Sequence, residues 1–174
     1  ELARVSKPGT VVSSDVLRAI HAQTEALTSA GINKIILSSH LQNLAIDLSM
    51  VSELRDIDVI IAGAGGELLL NANNARTSTP AADGPYPILL RDADDHMVAV
   101  ATTEGEYRYL GQLDVEFDRD GHLTSATGKA LLIERQAVPP DSKLLATVEE
   151  PLKRIHSARE KRVARTEVFL ENSD

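Results

Sequence analysis

Five histidines and no cysteine define the metal and proton chemistry open to this 174-residue chain. Without thiols there are no disulfides and no thiolate metal sites. His40 has the most telling position of the five. It follows directly on Lys34 to Ser38, a run rich in Ile and Leu that reads as a buried strand, and Ser38 and Ser39 beside it are small. Neutral imidazole is the commonest protein metal ligand, and a strand end holds it rigidly. The same position also suits a purely structural histidine, and residue type alone leaves both readings open.

The second feature is Gly63-Ala64-Gly65-Gly66-Glu67, after the apolar run Asp58 to Ala62. Glycines let a ligand approach the backbone closely. The spacing matches neither a dinucleotide fingerprint nor a P-loop, and no Lys-Ser/Thr follows. Glu67 reads as a metal ligand or as an acid at a helix start, where the dipole favours it; the second reading is the simpler. His21 sits on the flank of a helix. His96 and His122 fall in or beside turns and are expected to be exposed. His156 lies near a helix C-terminus, where a cation suits the dipole. No Ser-His-Asp or Cys-His constellation can be assembled.

These groups need elements to hold them. Ser13, Ser14 and Asp15 are N-cap types; Val16, Leu17, Ile20 and Leu27 then recur at helical spacing, and Gly31 supplies the stop. This predicts a helix over about Ser14 to Ala30. Lys34 to Ser38 reads as a strand buried on both faces. Asn43 to Leu54 carries Leu44, Leu48, Val51 and Leu54 on one face, and Asp58 to Ala62 is the next strand. This β-α-β unit predicts parallel strands with a right-handed crossover. It also brings His40 and the glycine loop to the carboxyl edge of one sheet, where ligands collect in open α/β folds.

Asn71 to Pro87 is rich in Asn, Thr, Ser, Pro and Gly and reads as an exposed loop. Short β runs follow at Ile88 to Leu90, Met97 to Thr102, Tyr107 to Phe117 and Leu123 to Ile133. The turns Asp92-Ala93-Asp94-Asp95 and Asp118-Arg119-Asp120-Gly121 join them into antiparallel hairpins, expected to build a second sheet. The aspartates there lack the glycine and distal glutamate of an EF-hand loop, so turn chemistry accounts for them. Pro139-Pro140-Asp141 starts a helix whose Leu144, Leu145, Val148, Leu152 and Ile155 mark a face expected to be buried. Arg159 to Arg165 reads as a solvated linker, and Val163 to Leu170 as a new strand.

Composition sets the outer bounds. Hydrophobic residues are 43%, charged residues 25% and aromatics 3%, so the core must come from Val, Ile, Leu and Ala. A net charge of -8 argues against a nucleic-acid partner, whose phosphates would be repelled. No apolar run reaches the roughly 20 residues of a membrane helix.

Taken together, GINKIILSSH, DVIIAG, GPYPILL and VAVATTEGEYRYLGQLDVEFDRDGHL resemble, in order and spacing, the central part of the 5′-nucleotidase family of calcineurin-like metallophosphoesterases. VARTEVFLENSD is similar to that family's junction into its C-terminal domain. The resemblance implies an α/β fold, part of a four-layer α-β-β-α sandwich, with a parallel βαβ unit followed by antiparallel hairpins. It divides the chain into residues 1–136, the C-terminal half of the metallophosphoesterase domain; 137–162, a linker helix; and 163–174, the first strand of a further domain.

The activity implied is hydrolysis of a phosphate monoester, with two divalent metals such as Zn or Mn activating a water. Of the two histidine ligands implied for this half, the first falls on His40. The second falls on Ala64, which cannot ligate. The Asp-x-His and Asn-His-Glu motifs of the first half are expected to be absent, so the chain alone is expected to be inactive. Its partners would then be the missing half or a second copy, and in the parent a nucleotide or phosphate ester. Relatives are usually exported, which implies the periplasm or the cell exterior. The competing reading is a non-catalytic binding or surface-interaction module that keeps the fold without the metal site.

Overall fold

The computed structural model describes residues 13–63, 65–71, 81–105, 107–134 and 138–160. Two compact units divide at Ile133/Glu134.

The first unit begins with helix α1, Ser13–Ser29. Val16, Leu17 and Ile20 pack against the core, whereas Leu27 at the far end of the stripe is exposed. Gly31 stops the helix with φ +83°, a left-handed conformation that costs glycine nothing. Strand β1, Ile36–Ser39, leads through the His40 loop into α2, Leu44–Met50, and a short 3-10 turn over Val51–Glu53. Asn43 caps α2, its side chain accepting from the Ala45 N–H at 2.9 Å. Leu44, Met50, Val51 and Leu54 are buried, as the apolar spacing predicts for Leu44, Val51 and Leu54. Strand β2, Val59–Ala62, then pairs with β1 in parallel, Ile36 opposite Val59 and Ser39 opposite Ala62.

The hairpin β3–β4 departs from expectation. β3, Ile88–Arg91, and β4, Met97–Ala101, do not extend a second sheet. β4 joins β2 in parallel and β3 pairs antiparallel on its outer side, giving one mixed sheet in the order β1-β2-β4-β3. The reason lies in β4 itself. Val98, Ala99, Val100 and Ala101 are all at most 1% exposed, and such a run suits the middle of a sheet covered on both faces. Only β5, Tyr109–Phe117, and β6, Leu123–Leu132, form the second, two-stranded sheet.

Among the described residues β1 is correspondingly an edge strand. Ile36 is 64% exposed rather than buried, which corrects the expectation of a strand enclosed on both faces. An apolar groove of about 440 Å³ runs between α1 and β1.

In the polar stretch before β3, residues 72–80 lie outside the described residues. Of the rest, Ala81, Ala82, Asp83 and Pro85 are exposed as expected, but Asn71 and Tyr86 at its ends are tied into the fold. Just before it Leu68, Leu69 and Leu70 are buried, and Leu69 bridges Gly84. Asn71 donates to the Tyr86 and Gly128 carbonyls at 2.8 and 3.0 Å and accepts from the Tyr86 N–H at 2.9 Å. Tyr86 is buried because its ring lies against two glycines of the second sheet: a Cβ on Gly111 would meet the Tyr86 hydroxyl at 2.5 Å, and one on Gly128 would meet its ring at 2.8 Å.

In the second unit, α3 spans Ser142–Glu160, with Asp141 accepting from the Lys143 and Leu144 N–H groups at 2.9 Å. The face expected to be buried is not: Leu144, Leu145, Val148, Leu152 and Ile155 are each at least 44% exposed. Helical periodicity identifies an apolar stripe, but it does not supply a surface to cover it. The strand expected at Val163 to Leu170 lies outside the described residues. No helix among the described residues is long and apolar enough to cross a membrane.

Candidate functional site

β1, β2 and β4 run parallel, so their carboxyl ends share one edge of the sheet. A cleft of about 720 Å³ opens there. His40, the residue after β1, lies on its wall and is exposed to solvent rather than packed in the core. Gly63 follows β2 and lines the same cleft, as do Thr102, Thr103 and Glu104 after β4. The two loops singled out from the sequence therefore meet at one place.

Each loop is held by a specific contact. Gly63 donates its N–H to the Ser39 carbonyl at 3.1 Å, and a Cβ at Gly63 would stand 2.7 Å from that oxygen. Only a residue without a side chain lets the ends of β1 and β2 close to this distance. Glu67 Oε1 accepts the Leu44 N–H at 3.0 Å. Glu67 is thus a helix-start acid, as the simpler reading had it, though for α2, which precedes it in sequence. Gly65 lies against the Glu67 carboxylate, so a Cβ there would displace that side chain from its present position. Ala64 lies outside the described residues.

Beneath the His40 loop sits a buried acid. Asp47 on α2 is 1% exposed, and neither of its carboxylate oxygens has a hydrogen-bond partner. The adjacent Ser39 hydroxyl is also buried and does not reach hydrogen-bond geometry with it. Burial pushes the Asp47 carboxyl above the usual range; the Ser39 hydroxyl opposes this and the Glu67 charge adds to it.

The cleft's own carboxylate, Glu104, is engaged by Arg108 in an ion pair. Among the described residues no group of three His, Asp or Glu side chains is placed to hold a metal ion. His40 offers one imidazole, and one neutral donor does not hold a two-metal centre. The donor set of the described residues does not fit that centre.

The remaining histidines lie elsewhere. His21 is half-buried on α1 and His156 is exposed on α3. His96 and His122 are partly exposed, near what their turns imply, but they also stack, with ring centroids 4.1 Å apart and planes 24° apart. The triplets Asp94-Asp95-His96 and Asp120-Gly121-His122 do have Asp-x-His spacing, which corrects the expectation that it is absent. Both are hairpin turns, and the two histidines line a separate cleft of about 270 Å³. In each turn one aspartate organises the backbone. Asp92 Oδ1 accepts from the Asp94 and His96 N–H groups at 2.8 and 2.9 Å, and Asp118 Oδ1 accepts from the Asp120 and His122 N–H groups at 2.9 Å. The sequence carried a signal for this pairing, an aspartate and a histidine four residues apart in both turns.

No protein-family model matches the chain. The 5′-nucleotidase of Homo sapiens is 27% identical over 170 residues, which cover 97% of this chain and 29% of that protein. A snake venom 5′-nucleotidase from Macrovipera lebetinus is 26% identical over 167 residues, 95% of this chain and 40% of its own length. Among solved structures, the 5′-nucleotidase precursor from Thermus thermophilus superposes with a TM-score of 0.74 at 23% identity, over 85% of this chain and 28% of that one. The NAD nucleotidase NadN of Haemophilus influenzae gives a TM-score of 0.58 at 22% identity, over 79% and 26%. The chain thus spans under a third of the length of the human relative it matches over nearly its whole extent. Sequence and fold agree: over nearly its whole length the chain is similar to a part of the 5′-nucleotidases, and it shares the fold of the corresponding part of the solved structures.

Proposed function

We propose that this chain forms the second half of the catalytic domain of a metal-dependent phosphohydrolase acting on a nucleotide or a related phosphate monoester. One observation carries the reading. His40 stands solvent-exposed at the carboxyl ends of parallel strands, across from the Gly63 loop, in a chain that matches 5′-nucleotidases over 97% of its length. In this reading residues 1–136 belong to the catalytic domain, 137–162 are a linker helix and 163–174 open a further domain.

His40 would be one metal donor, for Zn or Mn. The described residues do not complete the set, so no hydrolytic step is assigned to them. The other donors would come from polypeptide outside these 174 residues. Among the described residues, the outer edge of β1 and the exposed Ile36, Ile61 and Leu89 support a partner surface, either that polypeptide or a second copy. The snake venom relatives support an exported protein, in the periplasm or the cell exterior.

A second reading has its own support. Ala64 stands where the family resemblance expects a ligating histidine, which favours a binding module that keeps the fold without the metal site. Metal content separates the two. Zn or Mn should co-purify with the intact polypeptide and fall in His40→Ala. Equal metal in both proteins, or none in either, would favour the binding module.

A further inference from the structure

We propose that Asp47 is a positioning residue for His40: a buried acid that fixes the end of β1 through the Ser39 hydroxyl and so sets where the imidazole stands. The inference rests on the reading of His40 as a metal donor. Asp47 occupies a core position on α2. It shares the buried face of that helix and the turn after it with Leu44, Met50 and Val51, at spacings of three and four residues. A leucine there would pack at no polar cost, whereas burying an acid without a partner is expensive. Among the described residues four buried side-chain oxygen or nitrogen atoms have no hydrogen-bond partner within the protein. Three of them are here, the two Asp47 oxygens and the Ser39 hydroxyl. Buried polar groups are nearly always paired, so packing is not what retains an acid at this position.

Both ends of the His40 loop are pinned beside this acid. Ser39 pairs with Ala62 across β1 and β2, and its carbonyl accepts from the Gly63 N–H at 3.1 Å. At the other end Glu67 takes the Leu44 N–H. Between them Gln42 has φ +57°, a left-handed conformation that persists only where the surroundings impose it. His40 is one peptide unit from Ser39, so a turn of the Ser39 backbone swings the imidazole. The Ser39 backbone is fixed by β2 and its hydroxyl faces Asp47. Closing that pair into a hydrogen bond locks the Ser39 side chain and, with it, the direction in which the chain leaves the strand.

The test uses the intact polypeptide, stripped by a chelator and reloaded with Zn, and reads Zn affinity beside the denaturation midpoint of the metal-free protein. Asp47→Leu should bind Zn about tenfold more weakly, the low end for loss of a group that orients a metal ligand, while its midpoint equals or exceeds that of the parent. Asp47→Asn keeps an acceptor for the hydroxyl and should stay close to the parent in affinity. Ser39→Ala should weaken Zn as Asp47→Leu does, and the double variant no further, because both remove one contact; it also decides the matter if Asp47→Leu does not fold. In the metal-free 174-residue chain, the His40 ring signal in NMR should split or broaden in Asp47→Leu and stay single in Asp47→Asn. Zn affinity and a His40 signal unchanged in Asp47→Leu, a loss of Zn matched by a loss of stability, or full additivity of the two substitutions would overturn the proposal. If His40→Ala leaves Zn binding untouched, the metal reading of the cleft has failed, and the His40 signal of the metal-free chain still decides the positioning role.

Discussion

Glu67 reaches back 23 residues to accept the backbone N–H of Leu44, at 3.0 Å. The contact ties the loop after β2 to the first turn of the helix after β1. His40 sits between β1 and that helix. A carboxylate at a helix N-terminus receives both a hydrogen bond and the favourable end of the dipole, so Glu67 fixes the frame in which the imidazole is presented.

Removing that acceptor should be felt at His40. Glu67→Ala is expected to cost about 1–2 kcal/mol of stability, the range for a lost helix cap, and Glu67→Gln less because it keeps an oxygen. Amide exchange checks the location. Protection should fall first at Leu44 and Ala45, and unchanged exchange there would contradict the role.

Asp47 should oppose stability at neutral pH. Its folded-state pKa is raised by burial, so the folded chain holds the proton more tightly than the unfolded one. Stability from this group then declines as pH rises from the unfolded carboxylate value, about 4, through the raised folded value. Asp47→Asn removes the charge that burial disfavours and should stabilise by about 1–3 kcal/mol at neutral pH. That gain should shrink below about pH 4, where both states of the wild-type acid are protonated. Denaturant melts across this range decide it.

Gly63→Ala should separate the ends of β1 and β2. Its Cβ would meet the Ser39 carbonyl at 2.7 Å, and a backbone atom cannot swing aside. A loss of about 1–3 kcal/mol is expected, as for overpacked sites, with chemical-shift changes concentrated at Ser39 and His40. A neutral substitution would mean that the two strand ends are not held as close as described.

The stacked pair His96 and His122 joins the β3–β4 and β5–β6 turns. A double-mutant cycle of His96→Ala and His122→Ala should return a coupling of about 0.5–1.5 kcal/mol, the value for aromatic pairs. Strict additivity would show that the contact contributes nothing.

Where local pattern decides the structure, the sequence was readable. The apolar spacing of α1 and α2, the Gly31 stop and the β1-α2-β2 crossover all follow from short-range rules, and together they place His40 beside Gly63. Long-range choices were harder. Alternation and turn residues identified the β3–β4 hairpin but not the sheet it joins. The unbroken apolar run Val98-Ala99-Val100-Ala101 was the clue to a central strand. The apolar stripe of α3 revealed periodicity without revealing a partner. Tyr86 and Asn71 lie in a polar stretch, and their burial depends on Gly111 and Gly128, which are distant in sequence.

Phosphate release from a nucleoside monophosphate tests the central claim most directly, with Zn or Mn supplied to the intact polypeptide, to its His40→Ala variant and to the 174-residue chain alone. The intact protein should turn over, His40→Ala should lose at least about tenfold, as disruption of metal-site shells does, and the isolated chain should release no more phosphate than its own His40→Ala control. An intact protein that is inactive, or one whose rate is indifferent to His40, would contradict the assignment.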